Sequence, residues 1–226
     1  VFRYSLRQAI EDQVLTPYMY RPHLVELTPS ESEEFIDLSE QIGRLLARQN
    51  GGGVSGMSPQ LTGLLMRRAR LIGSAANKMT ALRAAIEGVK PTQHTLFYCG
   101  DGTVEPDDGQ DDDGQDHGQR QVEAISTLLD KGGWDVSRFT SRESRKVRDS
   151  ILENFRLGII DAMVAIRCLD EGIDVPACST AYILASARDP RQFVQRRGRI
   201  LRRSPGKDLA IIHDFIVVLP EAVQGA

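Results

Sequence analysis

The sequence is poor in cysteine and contains no long apolar run, and each scarcity excludes a class of protein. The three cysteines, Cys99, Cys168 and Cys178, are odd in number and show neither CxxC nor Cys/His ligand spacing. This pattern predicts no disulfide framework and no metal site. No apolar stretch approaches the roughly 20 residues that a membrane-spanning helix needs. We therefore expect a protein without a membrane partner in a reducing, cytoplasmic setting.

Two further signals are missing. No GxGxxG motif follows a predicted strand, so a dinucleotide-binding enzyme of the Rossmann type is poorly supported. The chain starts at Val1, and nothing near it has the basic head and apolar middle of a signal peptide. We expect the chain to be a piece of a longer protein.

The net charge of −3 hides an uneven distribution. Six aspartates lie between residues 107 and 116 in a stretch without a basic residue, so the remainder of the chain carries +3. The near-neutral total is therefore no argument against a nucleic-acid partner. Because the stretch 107–118 is acidic and glycine-rich, we expect a disordered loop there.

Short apolar runs alternate with amphipathic segments from Pro91 onward, which is typical of βαβ units around a parallel sheet. The predicted strands are 95–99, 135–139, 162–166, 181–184 and 209–217, and the predicted helices between them are 121–129 and 144–157. The segment before residue 91 differs, with two long predicted helices at 31–49 and 61–87. The sequence therefore predicts an α/β fold at 92–218, a linker and helical insertion at 1–91, and a tail at 219–226.

The arginine-rich segment QRRGRILRR at residues 195–203 carries the strongest chemical signal. Several guanidinium groups at close spacing repel one another unless an anion compensates them. Arg199 and Arg202 lie three residues apart and would share a helix face. On this segment alone, anion binding and a solvated basic helix remain open alternatives.

A second motif, LDEGIDVP at residues 169–176, follows the predicted strand 162–166. Ligands of open α/β sheets bind at the carboxyl ends of strands. Its carboxylates could hold a metal, a ribose hydroxyl or an arginine, or they could serve only as loop and helix-capping residues.

Together, in this order, the two motifs resemble the second RecA-like domain of superfamily 2 helicases and translocases. LDEGIDVP is similar to helicase motif V, and residues 195–202 match the QxxGRxxR pattern of motif VI at every fixed position. Residues 95–99 stand where motif IV belongs, and the FRLG of residues 155–158 resembles the helix end that precedes motif V. The resemblance covers about residues 92–217 and implies a RecA-like parallel sheet flanked by helices.

For the nucleotide, the resemblance implies ATP with Mg²⁺, bound mainly by a first RecA-like domain. The phosphate loop GxxxxGK[S/T] and the DExx box of that domain are absent from this sequence, so we expect the chain alone not to hydrolyse ATP. The implied catalytic residues are the arginine finger Arg202 and its neighbour Arg199. Gly172, Asp174 and Gln195 are the implied nucleotide-binding residues.

For nucleic acid, the resemblance implies backbone contacts from the loops after the strands, which places Gly100, Ser141 and Arg167 there. Ile166 and Arg167 stand where the DEAD-box branch has Thr-Asp, which argues against an RNA chaperone of that type. The segments CLDEGIDVP and FVQRRGRILRR look closer to the DNA-acting branch, with excision-repair helicases and restriction motor subunits. Residues 15–28 and 98–105 are similar to bacterial defence helicases, including those linked to phosphorothioate-modified DNA.

The sequence therefore predicts the second motor domain of an ATP-dependent DNA helicase or translocase, with DNA, the first RecA-like domain and other defence or restriction subunits as partners. Two alternatives stay open. One is a non-catalytic RecA-like module that binds nucleic acid or serves as an assembly platform, and the other is an RNA helicase.

Overall fold

The structure is a computed structural model that describes residues 6–50, 58–100, 114–166, 175–185 and 197–219. In these residues the strands are β1 (Tyr18–Glu26), β2 (Thr95–Cys99), β3 (Val136–Phe139), β4 (Ala162–Ile166), β5 (Thr180–Ile183) and β6 (Ala210–Val218). The helices are α1 (Leu6–Glu11), α2 (Pro29–Asn50), α3 (Pro59–Gly73), α4 (Asn77–Ile86), α5 (Gly114–Lys131) and α6 (Arg145–Leu157). Residues 197–200 form a further helical turn.

The six strands form one sheet in the order β1-β6-β5-β2-β4-β3, and every pair of neighbours is parallel. The chain fills one side of β2 with β3 and β4 and then crosses to the other side with β5 and β6. The strand order therefore reverses beside β2, which is where open α/β sheets place their ligands at the carboxyl ends of strands.

Both faces of the sheet are covered, as all-parallel sheets require. On one face, α6 and the segments around residues 175–178 and 200–201 pack onto the strands through a cluster that includes Phe155, Val175 and Ile200. On the other face, α4 and α5 pack through Leu82 and Ile125. The five side chains of β2 are all buried, because this strand lies in the middle of the sheet.

The predicted parallel α/β sheet is confirmed, and the five predicted strands agree with β2 to β6 to within a residue at each end. Helix α6 is also confirmed. Ser144 caps its start by accepting a hydrogen bond from the Val147 amide, and Gly158 ends it with a φ of 69°, in the left-handed region that favours glycine.

The sequence did not predict β1. It pairs with β6 over nine residues, from Tyr18 opposite Ala210 to Glu26 opposite Val218. As an outer strand, β1 is largely exposed and tolerates Pro22, which has no amide hydrogen to donate to a neighbouring strand. The sheet thus extends beyond the range 92–218, and the described part of 1–91 includes a strand as well as helices.

The single helix predicted at 61–87 is wrong, because the chain breaks between Gly73 and Asn77 into α3 and α4. Ala75 is buried at this break beside Leu27 and Phe35. The amide of Ala76 donates to Glu31 Oε1 at 2.9 Å. Glu31 also forms a capping box with Thr28 at the start of α2, so one side chain fixes two helix ends.

The structure describes only residues 114–118 of the loop predicted at 107–118. Residues 107–113 lie outside the described residues, as does the tail from residue 220 onward. The backbone of residues 114–118 forms the first turn of α5 instead of a loop.

Candidate functional site

Four of the eight predicted site residues lie in the part of the chain that the structure describes: Arg199, Arg202, Gly100 and Ser141. The other four, Arg167, Gly172, Asp174 and Gln195, lie outside it, and their assignments stay predictions.

Arg199 and Arg202 lie at the end of the helical turn 197–200, beside the amino ends of β1 and β6. Arg202 is exposed, and its backbone forms an isolated antiparallel bridge with Leu15. The next carbonyl back, that of Leu201, accepts a hydrogen bond from the Thr16 amide at 2.8 Å. The chain that leads into β1 therefore holds the backbone from which Arg202 extends.

Arg199 is partly buried, and its Nη1 atom has no hydrogen-bond partner among the described residues. A buried guanidinium N–H without an acceptor is costly, and an anionic oxygen would satisfy it. The Nη1 atom of Arg199 therefore retains a donor that an anionic oxygen could satisfy.

Arg197 is a buried arginine that the sequence analysis did not single out. Its Nη2 atom lies 3.3 Å from Asp214 Oδ2, and its guanidinium lies 4.1 Å from the centre of the Tyr20 ring. The Tyr20 hydroxyl donates to the same carboxylate oxygen at 3.0 Å. Burial, and then the Asp214 charge, raise the pKa of Tyr20. These contacts fasten the arginine-rich segment to β1 and β6.

Ser141 and Gly100 lie at the opposite edge of the sheet, where β3 and β2 end. Ser141 is exposed in a turn that Glu143 closes by accepting hydrogen bonds from the Thr140 amide and hydroxyl at 2.6 and 2.7 Å. The exposed side chains of Arg142, Arg145 and Lys146 follow at the start of α6. This basic loop, residues 141–146, has the charge and exposure that a phosphate backbone requires.

Whereas Ser141 is exposed, Gly100 is partly buried. Its amide donates to Gln121 Oε1 at 3.3 Å, and a side chain here would first meet Ala185 Cβ at 3.6 Å. The amide is thus already used within the protein, and a nucleic-acid role for Gly100 stays a prediction.

Lys78 is a buried lysine at the carboxyl end of β5 that the sequence pattern did not reveal. Its Nζ donates to the Leu184 carbonyl at 2.6 Å, and the residue is 1% exposed. Burial lowers its pKa to about 8, against the opposing effect of the Asp214 and Glu31 charges. Its role as a tether between α4 and β5 depends on tertiary contacts.

Within the described ranges, the structure has no group of three or more His, Cys, Asp or Glu side chains that could hold a metal ion. Two cysteines of this part, Cys99 and Cys178, are buried and free, and burial raises the pKa of the Cys178 thiol to about 12.

Among the helices that the structure describes, none has both the length and the apolar character for crossing a bilayer.

Comparison with protein families finds similarity in a region that includes Ser141, Arg199 and Arg202. Residues 116–204 match the family model "Helicase conserved C-terminal domain". The chain is 39% identical over 72 residues to the DNA 3'-5' translocase XPB2 of Sulfurisphaera tokodaii, covering 32% of this chain and 16% of the translocase. It is 41% identical over 66 residues to Dicer-like protein 2 of Pyricularia oryzae, covering 29% of this chain and 4% of that protein.

Among solved structures, the chain is similar to a fragment assigned as the HsdR subunit of a type I restriction enzyme from Vibrio vulnificus YJ016. The TM-score is 0.51 at 21% identity, over 94% of this chain and 34% of that one. In every one of these matches the chain spans well under two thirds of the relative's length.

Proposed function

We propose that this chain, which carries the second, C-terminal RecA-like domain of a superfamily 2 helicase, supplies the arginine finger of an ATP-dependent DNA helicase or translocase. The family and the RecA-like fold are those that the sequence predicts, and both are confirmed by the helicase C-terminal match and the parallel sheet flanked by helices. The finger, the DNA substrate and the pathway are the proposal.

One observation carries the finger assignment: the placement of the motif VI arginines. Arg202 is exposed on a backbone held from two sides, and Arg199 presents a buried Nη1 without an acceptor among the described residues. A finger needs a guanidinium that reaches out of its own domain from a fixed base.

The chemistry of this chain is then electrostatic. Arg202 stabilises the negative charge that develops on the phosphoryl group in the transition state, and Arg199 binds the neighbouring phosphate oxygens. Gly172, Asp174 and Gln195 complete the nucleotide contacts in this proposal. The phosphate loop and the metal-binding carboxylates come from the first RecA-like domain, which is the required partner.

For the polymer, we favour DNA. The XPB2 relative is named a DNA translocase, and the basic loop 141–146 with Arg167 offers a track for phosphates. The Dicer-like relative keeps RNA as the alternative substrate. A role in restriction or defence, with further subunits as partners, rests on the resemblance of residues 15–28 and 98–105.

The test is ATP hydrolysis by the full-length protein with Arg202→Ala. We expect nucleic-acid-stimulated turnover to fall by about 10³-fold or more, which is the scale of a lost arginine finger. Affinity for DNA should change by less than about 3-fold, because Arg202 and the basic loop lie at opposite edges of the sheet.

Arg203→Ala is the matched control, since Arg203 is the adjacent arginine and is also exposed. It should keep turnover within about 3-fold of the unmodified protein. Normal turnover by Arg202→Ala would refute the finger. Stimulation by RNA but not DNA would refute the DNA assignment, and inactivity with every polymer would favour the non-catalytic module.

A further inference from the structure

The backbone that carries Arg202 is held by a second cation, Lys207. Its Nζ atom donates to the carbonyl of Arg202 at 3.0 Å, to that of Pro176 at 3.0 Å and to that of Ile200. An ammonium group has three N–H donors, and each carbonyl uses one of them. The side chain is partly buried, as are its hydrogen bonds to Pro176 and Ile200, whereas the bond to Arg202 is exposed.

One of the three carbonyls, that of Ile200, belongs to the last residue of the helical turn 197–200, and that of Arg202 follows two residues later. The last carbonyls of a helix have no partner within the helix, and a positive charge there is favourable. The carbonyl between them, that of Leu201, accepts from the Thr16 amide. Three consecutive carbonyls, 200 to 202, are therefore each bound by a group from outside the turn.

The third carbonyl joins this segment to the other motif. Pro176 ends LDEGIDVP, and the neighbouring Val175 is buried in the same core cluster as Ile200 and Leu201. By binding Pro176 and Arg202 together, Lys207 fixes the distance between the end of motif V and the last arginine of motif VI.

A tight turn brings Lys207 back to this position. Its amide donates to the Ser204 carbonyl at 3.1 Å, and Gly206 takes a φ of 77°. Proline followed by a glycine of positive φ is the sequence that a type II turn requires. The turn SPGK thus folds the chain so that the lysine points at the carbonyls just before it.

We propose that Lys207 is a positioning residue for Arg202. Its ammonium group holds the Arg202 backbone at a fixed place relative to motif V, so that the guanidinium is in position to reach the phosphoryl group. The inference rests on the proposed function of Arg202 as the finger. It predicts that replacing Lys207 lowers turnover only because Arg202 is displaced.

The experiment uses the full-length protein with Lys207→Met, which keeps the length of the side chain and removes its donors. We expect kcat of nucleic-acid-stimulated ATP hydrolysis to fall about 10- to 100-fold, as a small misplacement of a catalytic group does. KM for ATP and DNA affinity should change by less than about 3-fold. Lys207→Arg, which restores charge and donors, should recover most of kcat.

Lys131→Met is the control, because Lys131 is an exposed lysine at the end of α5. The decisive comparison is the double variant Lys207→Met with Arg202→Ala. If Lys207 acts through Arg202, the double variant is no slower than Arg202→Ala alone. A further loss in the double variant, or unchanged kcat in Lys207→Met while Arg202→Ala is inactive, overturns the inference.

Normal turnover by Arg202→Ala overturns the proposed function instead, so the two failures are distinguishable. Should Lys207→Met melt below the assay temperature, the same cycle is run at a lower temperature at which circular dichroism shows that the variant is folded. A kcat for Lys207→Met equal to that of the unmodified protein at that temperature would count against the positioning role.

Discussion

Arg197 and Arg202 belong to one arginine-rich segment, yet they lie in opposite surroundings. Arg202 is exposed, whereas Arg197 is 5% exposed and paired with Asp214, 17 residues further along the chain. The resemblance to the QxxGRxxR motif predicts that Arg202 faces a nucleotide, and this role stays a prediction. The motif could not predict the role of Arg197, because a buried ion pair depends on a partner from another element. The one hint was an aspartate within the apolar run of β6.

His213 is the residue for which a pH effect follows from the structure. It is 6% exposed, and its ring stacks on Tyr182 at 4.4 Å and contacts His23, whose Nε2 lies 2.9 Å from His213 Nδ1. Burial, together with the His23 and Arg21 charges, lowers the pKa of His213 to about 4.

Below about pH 6.5, the unfolded chain binds a proton at this histidine while the folded chain does not. The free energy of unfolding should therefore decrease as the pH falls from about 6.5 to 4, by on the order of 2 kcal/mol from this group. His213→Phe keeps a ring in the stack and should flatten that decrease, as measured by urea unfolding at several pH values. Equal pH slopes for both proteins would contradict the assignment.

Among the elements, α6 and β4 are the ones that the sequence predicts best, because their signals are local. Ser144 and Gly158 mark the ends of α6, and an uninterrupted apolar run marks β4. The signals of β1 are not local: its residues are mostly exposed, and its strand conformation depends on pairing with β6. The break between α3 and α4 likewise depends on Glu31, 45 residues away from Ala76.

The start of α6 carries the element-scale prediction. Replacing Arg145 and Lys146 with alanine removes two exposed charges from the basic loop. We expect weaker binding of single-stranded DNA by the full-length protein, and a salt dependence of log K that is shallower by about 1.4, at roughly 0.7 per lost phosphate contact.

Arg156→Ala on the same helix is the matched control. Arg156 is exposed at the other end of α6, where it pairs with Glu153 at 2.6 Å. Its replacement should leave both the affinity and the salt slope unchanged. An equal effect of the control and the double variant would mean that α6 attracts DNA only through its overall positive charge and not through the basic loop.

At the scale of the whole molecule, the hydrophobic core of the sheet includes residues from the first 91 positions of the chain. Val25 of β1 and Leu82 of α4 are 3% and 0% exposed in the same core cluster as β2, β4 and α5. Burying one such side chain contributes about 1.5 to 3 kcal/mol, against a typical total stability of 5 to 15 kcal/mol. The core therefore needs residues on both sides of residue 91.

A fragment of residues 92–226 tests this dependence directly. Without β1 and α4 it exposes one edge of β6 and part of one sheet face, so we expect it to aggregate or to unfold without a cooperative transition. The chain of residues 1–226 should unfold cooperatively in the same thermal scan. A monomeric fragment that melts within about 5 °C of the chain would show that the first 91 residues are dispensable for folding.

The hydrogen bond from the Thr16 amide to the Leu201 carbonyl also offers a natural probe. An amide proton exchanges with deuterium in the solvent only when its hydrogen bond opens. The exchange rate at Thr16 therefore measures how often the segment that carries Arg202 separates from the chain leading into β1. Recorded with and without nucleotide, it follows the base of the proposed finger from a single backbone position and needs no label on the arginine itself.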